Sequence, residues 1–344
     1  MIADHHYIER STGQFVRERL LGNGVISGLY SPVLEKAPLL SHLASSRFIS
    51  RLLGYLNFDN VLSARATGML KFLRYAGVEL SEFVGQLSEY DTVRKVFERQ
   101  IRYWDCRPLP PDPRAIVCPA DARAVVGSMA QNSGLYLKQK FFSFPELLGE
   151  FSPWRSGFTD GDYALFRLTP EKYHYTHVPA TGRVLEIYTV EGRYHPCNPR
   201  AAVQLVTPVS KNRRTVTILD TNCPGGEAIG LVAMIEVVAL MVGRIEQRYS
   251  DEGYASPRQV GEGMVLRKGA PKAVFRPGSS TVVLLFQKDS IRFAPDLIAN
   301  QRRSQIHSDL SFALGQPFIE TNVAVRSLLA VPAKEAPCLT SGSL

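Results

Sequence analysis

Cysteine is scarce in this chain of 344 residues, and the cysteines present are scattered. None belongs to a CxxC pair, so the spacing typical of a structural zinc site is missing and no metal site is expected. Their odd number excludes a fully paired disulfide framework and favours a reducing compartment. The five positions are Cys106, Cys118, Cys197, Cys223 and Cys338.

Long hydrophobic runs are missing as well. The first residues, MIADHHYIERSTGQFVRERL, carry acids and histidines where a signal peptide needs an apolar segment. The most apolar stretch, residues 229–242, is interrupted by Glu236 and is too short to cross a bilayer as a helix. We therefore expect a cytosolic protein that lies on a membrane surface at most.

Several functional signatures are also absent. No GxxxxGK[ST] or GxGxxG stretch provides a phosphate loop, and no GxSxG pattern provides a hydrolase nucleophile elbow. No recognition helix or RNP-like aromatic strand is evident, which argues against a nucleic-acid partner. What the chain does have is an excess of base, with 40 Lys and Arg against 32 Asp and Glu, for a net charge of +8. Such an excess suits an anionic surface or substrate.

Residues 31–101 have the periodicity of helices. In SSRFISRLLGYL and in VLSARATGMLKFLRYAGVEL, apolar side chains recur every three or four positions with basic side chains beside them. Basic amphipathic helices of this kind either pack on the rest of the protein or lie in the headgroup layer of a membrane. In the second case, the residues in contact with the membrane are expected to be Arg47, Phe48, Arg51, Leu52, Lys71 and Arg74.

The character of the chain changes near residue 105. The segment CRPLPPDPRAIVCP contains five prolines, which the interior of a helix does not tolerate. Beyond it, β-branched runs such as VLEIYTV, RRTVTILD and STVVLLF alternate with turn signals such as PATG and CPGG. The sequence therefore predicts an α+β protein, with amino-terminal amphipathic helices followed by a mostly antiparallel, β-rich catalytic core. The expected regions are 1–104 (helical, membrane-associating), 105–330 (core) and 331–344 (flexible tail).

Three places hold residues suited to chemistry. Asp121 follows a Pro-Ala step in CPADA, where an aspartate either caps its own backbone or belongs to a site. His174 and His177 lie three apart in EKYHYTHVPATG, and proton transfer suits them better than a metal because no further ligand lies at motif spacing. Ser280 lies in a Gly-Ser-Ser-Thr step that opens a strand, where hydroxyls are also ordinary turn chemistry. Taken singly, each place leaves both alternatives open.

Taken in order, these segments resemble the phosphatidylserine decarboxylase family over most of the chain. YIERSTGQFVRERLLG followed by GLYSPVLEK is similar to the amino-terminal stretch of that family. RPLPPDPRAIVCPADA resembles its Arg-Pro segment and Pro-Ala-Asp-Gly turn, and LFRLTPEKYHYTHVPATGRV resembles its segment ending in Tyr-His-Arg-x-His-x-Pro. FRPGSSTVVLLF resembles the Gly-Ser-Thr cleavage motif and the strand after it. The match of many pieces in the right order makes the resemblance specific.

The resemblance implies a self-processing, pyruvoyl-dependent enzyme that converts phosphatidylserine to phosphatidylethanolamine and CO2. Ser280 matches the serine that cuts the chain after Ser279, becomes the pyruvoyl group and then forms a Schiff base with the substrate. His177 and Asp121 match the base that activates this serine and the carboxylate that orients the base. His174 matches the histidine that assists decarboxylation or proton transfer.

The resemblance also implies partners and a location. Cleavage between Ser279 and Ser280 gives a β chain, 1–279, and an α chain, 280–344, which stay together as a heterodimer. Phosphatidylserine is the expected substrate, and an anionic phospholipid membrane is the expected surface. The enzyme is then a peripheral protein on the cytoplasmic side of the cell membrane, and a homo-oligomer is left open.

Four positions near the matched residues depart from the family pattern. Ala122 and Ser279 stand where glycine is usual, and a positive φ at Ala122 would be strained. Lys172 and Tyr175 stand where aspartate and arginine are usual, which changes the charge beside the histidines. These departures leave two alternatives: a decarboxylase of the same family for a soluble amino acid or another serine headgroup, and an unprocessed, non-catalytic relative that binds membranes.

Overall fold

The structure is a computed structural model. The residues that it describes are 5–18, 74, 78–90, 92–130, 144–193, 208–238, 244–276, 280–304, 308, 311 and 316–333. Of the six residues expected at the membrane, only Arg74 lies in this part of the chain, and its side chain is exposed. Arg47, Phe48, Arg51, Leu52 and Lys71 lie outside the described residues, as does most of the predicted helical region.

Strands dominate the described residues and form three sheets. In chain order they are β1 (His6–Glu9), β2 (Phe15–Arg17), β3 (Ile116–Val117), β4 (Ala122–Ser128), β5 (Asp162–Leu168), β6 (Tyr175–His177), β7 (Gly182–Val190), β8 (Arg214–Asp220), β9 (Leu231–Val238), β10 (Ile245–Gln247), β11 (Val265–Leu266), β12 (Pro271–Phe275), β13 (Ser280–Phe286), β14 (Ile291–Phe293), β15 (Glu320–Val323) and β16 (Leu328–Pro332).

The largest sheet has ten strands in the order β11-β7-β8-β9-β13-β5-β4-β15-β1-β2. Its neighbouring strands run antiparallel except β1 and β15, which pair in parallel, so the sheet is mixed. Two three-stranded sheets, β10-β12-β6 and β14-β16-β3, complete the described β structure. The prediction of a β-rich core is confirmed, and the runs VLEIYTV, RRTVTILD and STVVLLF form β7, β8 and β13.

The described helices are short. The α-helices are α1 (Val93–Phe97), α2 (Tyr103–Cys106), α3 (Phe144–Leu148), α4 (Pro208–Lys211) and α5 (Pro295–Gln301), and 3-10 turns span Leu80–Glu82, Leu87–Glu89 and Pro153–Phe158. α1 lies near the end of residues 31–101, the range with predicted helical periodicity. Thr92 caps it, because its hydroxyl accepts a hydrogen bond from the backbone N–H of Lys95.

β13 lies in the middle of the large sheet because its sequence is apolar on both faces. All seven of its residues are buried. Successive side chains of a strand point to opposite faces, so Val282 and Leu284 pack in one core cluster while Val283 and Leu285 pack in another. Ser280, at the start of the strand, shares the face of Val282 and Leu284. That face packs against the small sheets, because the same cluster contains core residues from them.

The amino-terminal hairpin β1–β2 is fixed to the large sheet by a buried ionic cluster. The guanidinium of Arg167 donates hydrogen bonds to both Glu18 and Glu320, at 2.6 to 3.0 Å. The Nε2 atom of His5 lies 2.8 Å from Glu320 and 3.3 Å from Glu18. Since buried charges require compensation, this cluster joins residues from the two ends of the chain.

A second buried ion pair joins the large sheet to the sheet β10-β12-β6. The Nζ atom of Lys272, on β12, lies 2.8 Å from a carboxylate oxygen of Glu236, on β9, and neither side chain is exposed. Thr176 donates its hydroxyl to the other oxygen of Glu236 at 2.6 Å, and Gln247 completes the network. Glu236 pairs with Val282, two residues beyond Ser280, and Thr176 precedes His177. The network therefore sets the spacing between the strands of Ser280 and His177.

Replacing Lys272 with Met is expected to lower the free energy of unfolding by about 3–5 kcal/mol, because Glu236 remains buried without its counter-charge. Urea unfolding of the variant measures this loss. The matched control is Lys288→Met, which removes an exposed lysine and is expected to change stability by less than about 0.5 kcal/mol. Replacing both partners, Lys272→Met with Glu236→Leu, should restore much of the stability. Equal stability of the two single variants would contradict this account.

Candidate active site

Asp121, His174 and His177 come from two segments that lie side by side in the structure. β6 ends at His177, whose backbone N–H donates to the carbonyl of Pro119 at 2.7 Å. This contact brings β6 alongside the CPADA turn, so Asp121 lies near both histidines, and its charge raises the pKa of each against the stronger effect of burial. Ser280 begins β13, a central strand of the large sheet.

His177 is held by both nitrogens of its ring. Its Nδ1 atom lies 2.8 Å from the carbonyl oxygen of Gly269, which only accepts hydrogen bonds, so Nδ1 carries the proton. Its Nε2 atom lies 2.9 Å from the hydroxyl of Tyr173 and accepts from it, while Tyr173 lies 2.6 Å from the hydroxyl of Tyr254. Burial lowers the pKa of His177 to about 3. The ring is therefore a neutral base at physiological pH.

His174 is also neutral but has one nitrogen free. Its Nδ1 atom donates to the backbone carbonyl of Lys172 at 2.7 Å, which leaves the lone pair on Nε2. That Nε2 atom is buried and has no hydrogen-bond partner among the described residues. The ring lies 3.6 Å from the ring of Phe97, centroid to centroid. Burial, and then the charge of Arg99, hold the pKa of His174 well below its usual value.

Asp121 is ionised and paired with arginine. Arg107 donates from Nε and Nη2 to the two carboxylate oxygens at 3.2 and 3.0 Å, and the backbone N–H of Val325 donates at 2.7 Å. Burial raises the pKa of Asp121, but Arg107 outweighs burial and holds the pKa below its usual value. No hydrogen bond joins Asp121 to His177 in the described structure: the carbonyl of Gly269 takes the place at Nδ1 that the sequence suggested for Asp121.

Ser280 is a buried hydroxyl without a partner. Its side chain is fully buried, and its Oγ atom makes no hydrogen bond to any described residue, neither histidine included. The backbone of Ser280 pairs with Leu168 on one side and Val238 on the other. A buried hydroxyl without a hydrogen bond lowers the free energy of unfolding. A catalytic role is one explanation for such a group in a native protein.

The departures from the family pattern have different structural consequences. Ala122 begins β4 in extended backbone and is not among the described residues with positive φ, so the strain considered for it does not arise. Tyr175 packs against Tyr173 with rings nearly parallel and 5.4 Å apart. Lys172 turns its side chain to Asn322, whose Oδ1 atom accepts from Nζ at 2.7 Å. Ser279 lies outside the described residues.

Three residues around the candidate site were not predicted from the sequence. In the sequence, Arg107 belongs only to an Arg-Pro segment, and its pairing with Asp121 becomes visible in the fold. A buried aspartate is stabilised in its charged form by a nearby arginine. Tyr173 lies directly between Lys172 and His174, yet adjacency alone does not show that its hydroxyl reaches His177. Tyr254 gave no signal, since it lies in a turn with no periodicity and meets Tyr173 only through the fold.

One group of described residues has the composition of a metal site. The ligand atoms of His5, Glu18 and Glu320 lie within 4.8 Å of one another. Arg167 already donates to both carboxylates, so the group acts as an ion-pair cluster in this structure. No described helix is long and apolar enough to cross a membrane.

Comparison with known proteins adds the family. The family model for phosphatidylserine decarboxylase matches residues 93–310, which contain Asp121, both histidines and Ser280. The chain belongs to the phosphatidylserine decarboxylase family. A phosphatidylserine decarboxylase proenzyme of Bordetella petrii is 31% identical over 270 residues, covering 73% of this chain and 88% of that protein. The proenzyme of Chlamydia felis is 31% identical over 297 residues, covering 86% of this chain and 92% of the relative.

Proposed function

We propose that this chain is a phosphatidylserine decarboxylase, a carboxy-lyase that first cuts itself and then forms phosphatidylethanolamine and CO2. The observation that carries the proposal is the buried hydroxyl of Ser280, which has no hydrogen-bond partner among the described residues and lies in the segment that resembles the family's cleavage motif. The naming of the relatives as proenzymes supports a maturation step.

Self-cleavage is assigned to Ser280, His177 and Asp121. Ser280 Oγ attacks the carbonyl carbon of Ser279, the C–N bond breaks, and an ester forms while the freed nitrogen takes the proton. Elimination then releases residue 279 as a carboxylate, and water converts the new terminus to pyruvoyl with loss of ammonia. His177 suits the role of base because Nε2 carries its lone pair. Tyr173 must release Nε2 first, and the charge of Asp121 stabilises the protonated ring.

The site fits a pyruvoyl group at residue 280. The Ser280 Oγ atom leaves with residue 279 in the elimination step, and the remaining atoms of residue 280 would be held at the start of β13, which is buried on both faces. When formed, the group supplies an electron sink for cleavage of the bond to the departing carboxylate. We assign to His174 the transfer of protons, because its Nε2 atom is free to take a proton from the substrate ammonium and to return one to carbon.

The two chains produced by cleavage are proposed to remain one molecule. β13 would belong to the α chain 280–344, while both of its neighbours, β9 and β5, would belong to the β chain 1–279. Hydrogen bonds on both edges of β13 and its burial on both faces keep the pieces together. We assign the amphipathic segments that contain Arg47 and Arg74 to association with the cytoplasmic surface of the membrane, as a peripheral protein. Residues 105–330 are assigned to the catalytic core, which the hairpin β1–β2 and the end of β16 extend, and the residues after β16 to a tail.

The purified enzyme is expected to form phosphatidylethanolamine from phosphatidylserine in detergent micelles, with no turnover of free serine above the blank. Release of CO2 and chromatography of the lipid measure both reactions. Turnover of serine without turnover of lipid would favour the soluble-substrate alternative, which the presence of Lys172 and Tyr175 motivates. A chain that stays uncut and inactive would favour the non-catalytic relative, which Ser279 motivates.

A further inference from the structure

A cavity of about 320 Å³ borders the residues around Asp121. Asp121 and Tyr173 belong to its wall, so the cavity shares two residues with the candidate site. The rest of the wall is unusually rich in charge. Its basic members are Arg99, Arg107, Arg123 and Lys172.

Two of these four basic residues are paired with carboxylates. Arg107 bonds both Asp121 and Glu82, at 2.9 to 3.2 Å. Arg123 lies 3.5 Å from Glu171 and stacks on the ring of Tyr7. Their charges are therefore compensated within the protein.

The other two, Arg99 and Lys172, have no carboxylate within ion-pair distance among the described residues. Arg99 is buried and donates to two backbone carbonyls, those of Val96 and Glu171, while its Nε atom has no partner. Lys172 donates only to the amide oxygen of Asn322. Burial lowers the pKa of Arg99 to about 10 and that of Lys172 to about 8, and the nearby carboxylates oppose this effect only in part.

The remaining carboxylates of the wall already have other partners. Glu9 accepts from the amide of Asn322 at 2.6 Å and from Ser11, and Glu79 caps Ser81 at the exposed edge. Neither is in an ion pair with Arg99 or Lys172. The cavity wall thus contains two basic side chains, Arg99 and Lys172, that form no ion pair with a described carboxylate.

We propose that Lys172 and Arg99 form the subsite for the phosphodiester of the lipid headgroup. The proposal rests on the proposed function and names the residues that select a phosphorylated serine over free serine. Lys172 also accepts the hydrogen bond of His174 Nδ1 with its backbone carbonyl, so the proposed anion ligand lies two positions from the proposed proton carrier in the chain. Charged hydrogen bonds to an anion in a shielded cavity are strong and directional.

The first test is the kinetics of Lys172→Gln on phosphatidylserine in micelles. We expect KM to rise about 10- to 100-fold, the worth of a hydrogen bond to a charged group. We expect kcat to stay within about twofold, since the lost contact is made equally in ground and transition states. Lys288→Gln, which removes an exposed positive charge, is the control for net charge and should match wild type. An unchanged KM in Lys172→Gln would overturn the proposal.

A second measurement separates this proposal from the proposed function. Calorimetric titration of glycerophosphoserine into the wild-type protein needs no turnover, and we expect binding that weakens at least about tenfold in Lys172→Gln. Absence of binding by the wild type overturns the subsite whether or not the enzyme is active or the variant folds. Equal affinity for inorganic phosphate would assign the cavity to a free anion and overturn the headgroup assignment. Binding without any lipid turnover would keep the subsite and refute the decarboxylase.

Discussion

Replacing Ser280 with Ala leaves the chain at full length after purification, whereas the wild type separates into fragments of residues 1–279 and 280–344. The reason is that the methyl side chain of Ala provides no oxygen to attack the carbonyl before it, and the hydroxyl of Thr281, the next residue, lies on the opposite face of β13. Intact-mass spectrometry under denaturing conditions measures the outcome directly. Without a pyruvoyl terminus, decarboxylation is expected to fall to the blank.

The adjacent serine provides the matched control. Ser279→Gly restores the residue that is usual in the family and leaves Ser280 in place, so cleavage is expected to proceed at the wild-type position. The two variants change neighbouring serines and therefore test which hydroxyl acts. Cutting of Ser280→Ala at the wild-type position, or loss of cutting in Ser279→Gly alone, would move the nucleophile to Ser279 and contradict the assignment.

The sequence predicted the β core because the signal for a strand is local. β7, β8 and β13 coincide with runs whose β-branched and apolar residues identify them without knowledge of their neighbours. The parallel pairing of β1 with β15 is different, since it joins residues more than three hundred positions apart. Nothing in HYIE indicates which strand it will meet, so the amino-terminal hairpin of the large sheet was not predicted.

The candidate site also divides into residues that a local segment predicts and contacts that only the fold creates. Asp121, His174, His177 and Ser280 were identified because each lies in a short segment that resembles a family motif. Their surroundings come from elsewhere in the chain: the carbonyl of Gly269 sets the tautomer of His177, and Arg107 takes the carboxylate of Asp121. Hydrogen-bond partners of this kind depend on how separate segments of the chain pack together, so a short sequence motif does not predict them.

Replacing each of the two histidines with Gln is expected to block a different step, self-cleavage for His177 and decarboxylation for His174. His177→Gln should leave the chain uncut, because the base that takes the proton of Ser280 is missing. His174→Gln should be cut normally but should decarboxylate about 10²- to 10⁴-fold more slowly, the usual contribution of a positioned acid or base. Intact mass and lipid turnover, measured on the same preparations, separate the two effects, and rates are expressed per cleaved molecule.

The structure makes the opposite assignment a specific alternative to be tested. Nε2 of His177 accepts a hydrogen bond from Tyr173, whereas Nε2 of His174 is buried and has no partner in the described part of the chain. If His174 were the base for cleavage, His174→Gln would remain uncut and His177→Gln would be cut. Tyr173→Phe distinguishes the cases further: it removes the hydroxyl that occupies His177 and is expected to preserve cleavage if His177 is the base. Slower cleavage in Tyr173→Phe would instead show that the Tyr173 hydroxyl takes part in the proton transfer. In that case, removing the hydroxyl lowers the cleavage rate, although it also frees Nε2 of His177.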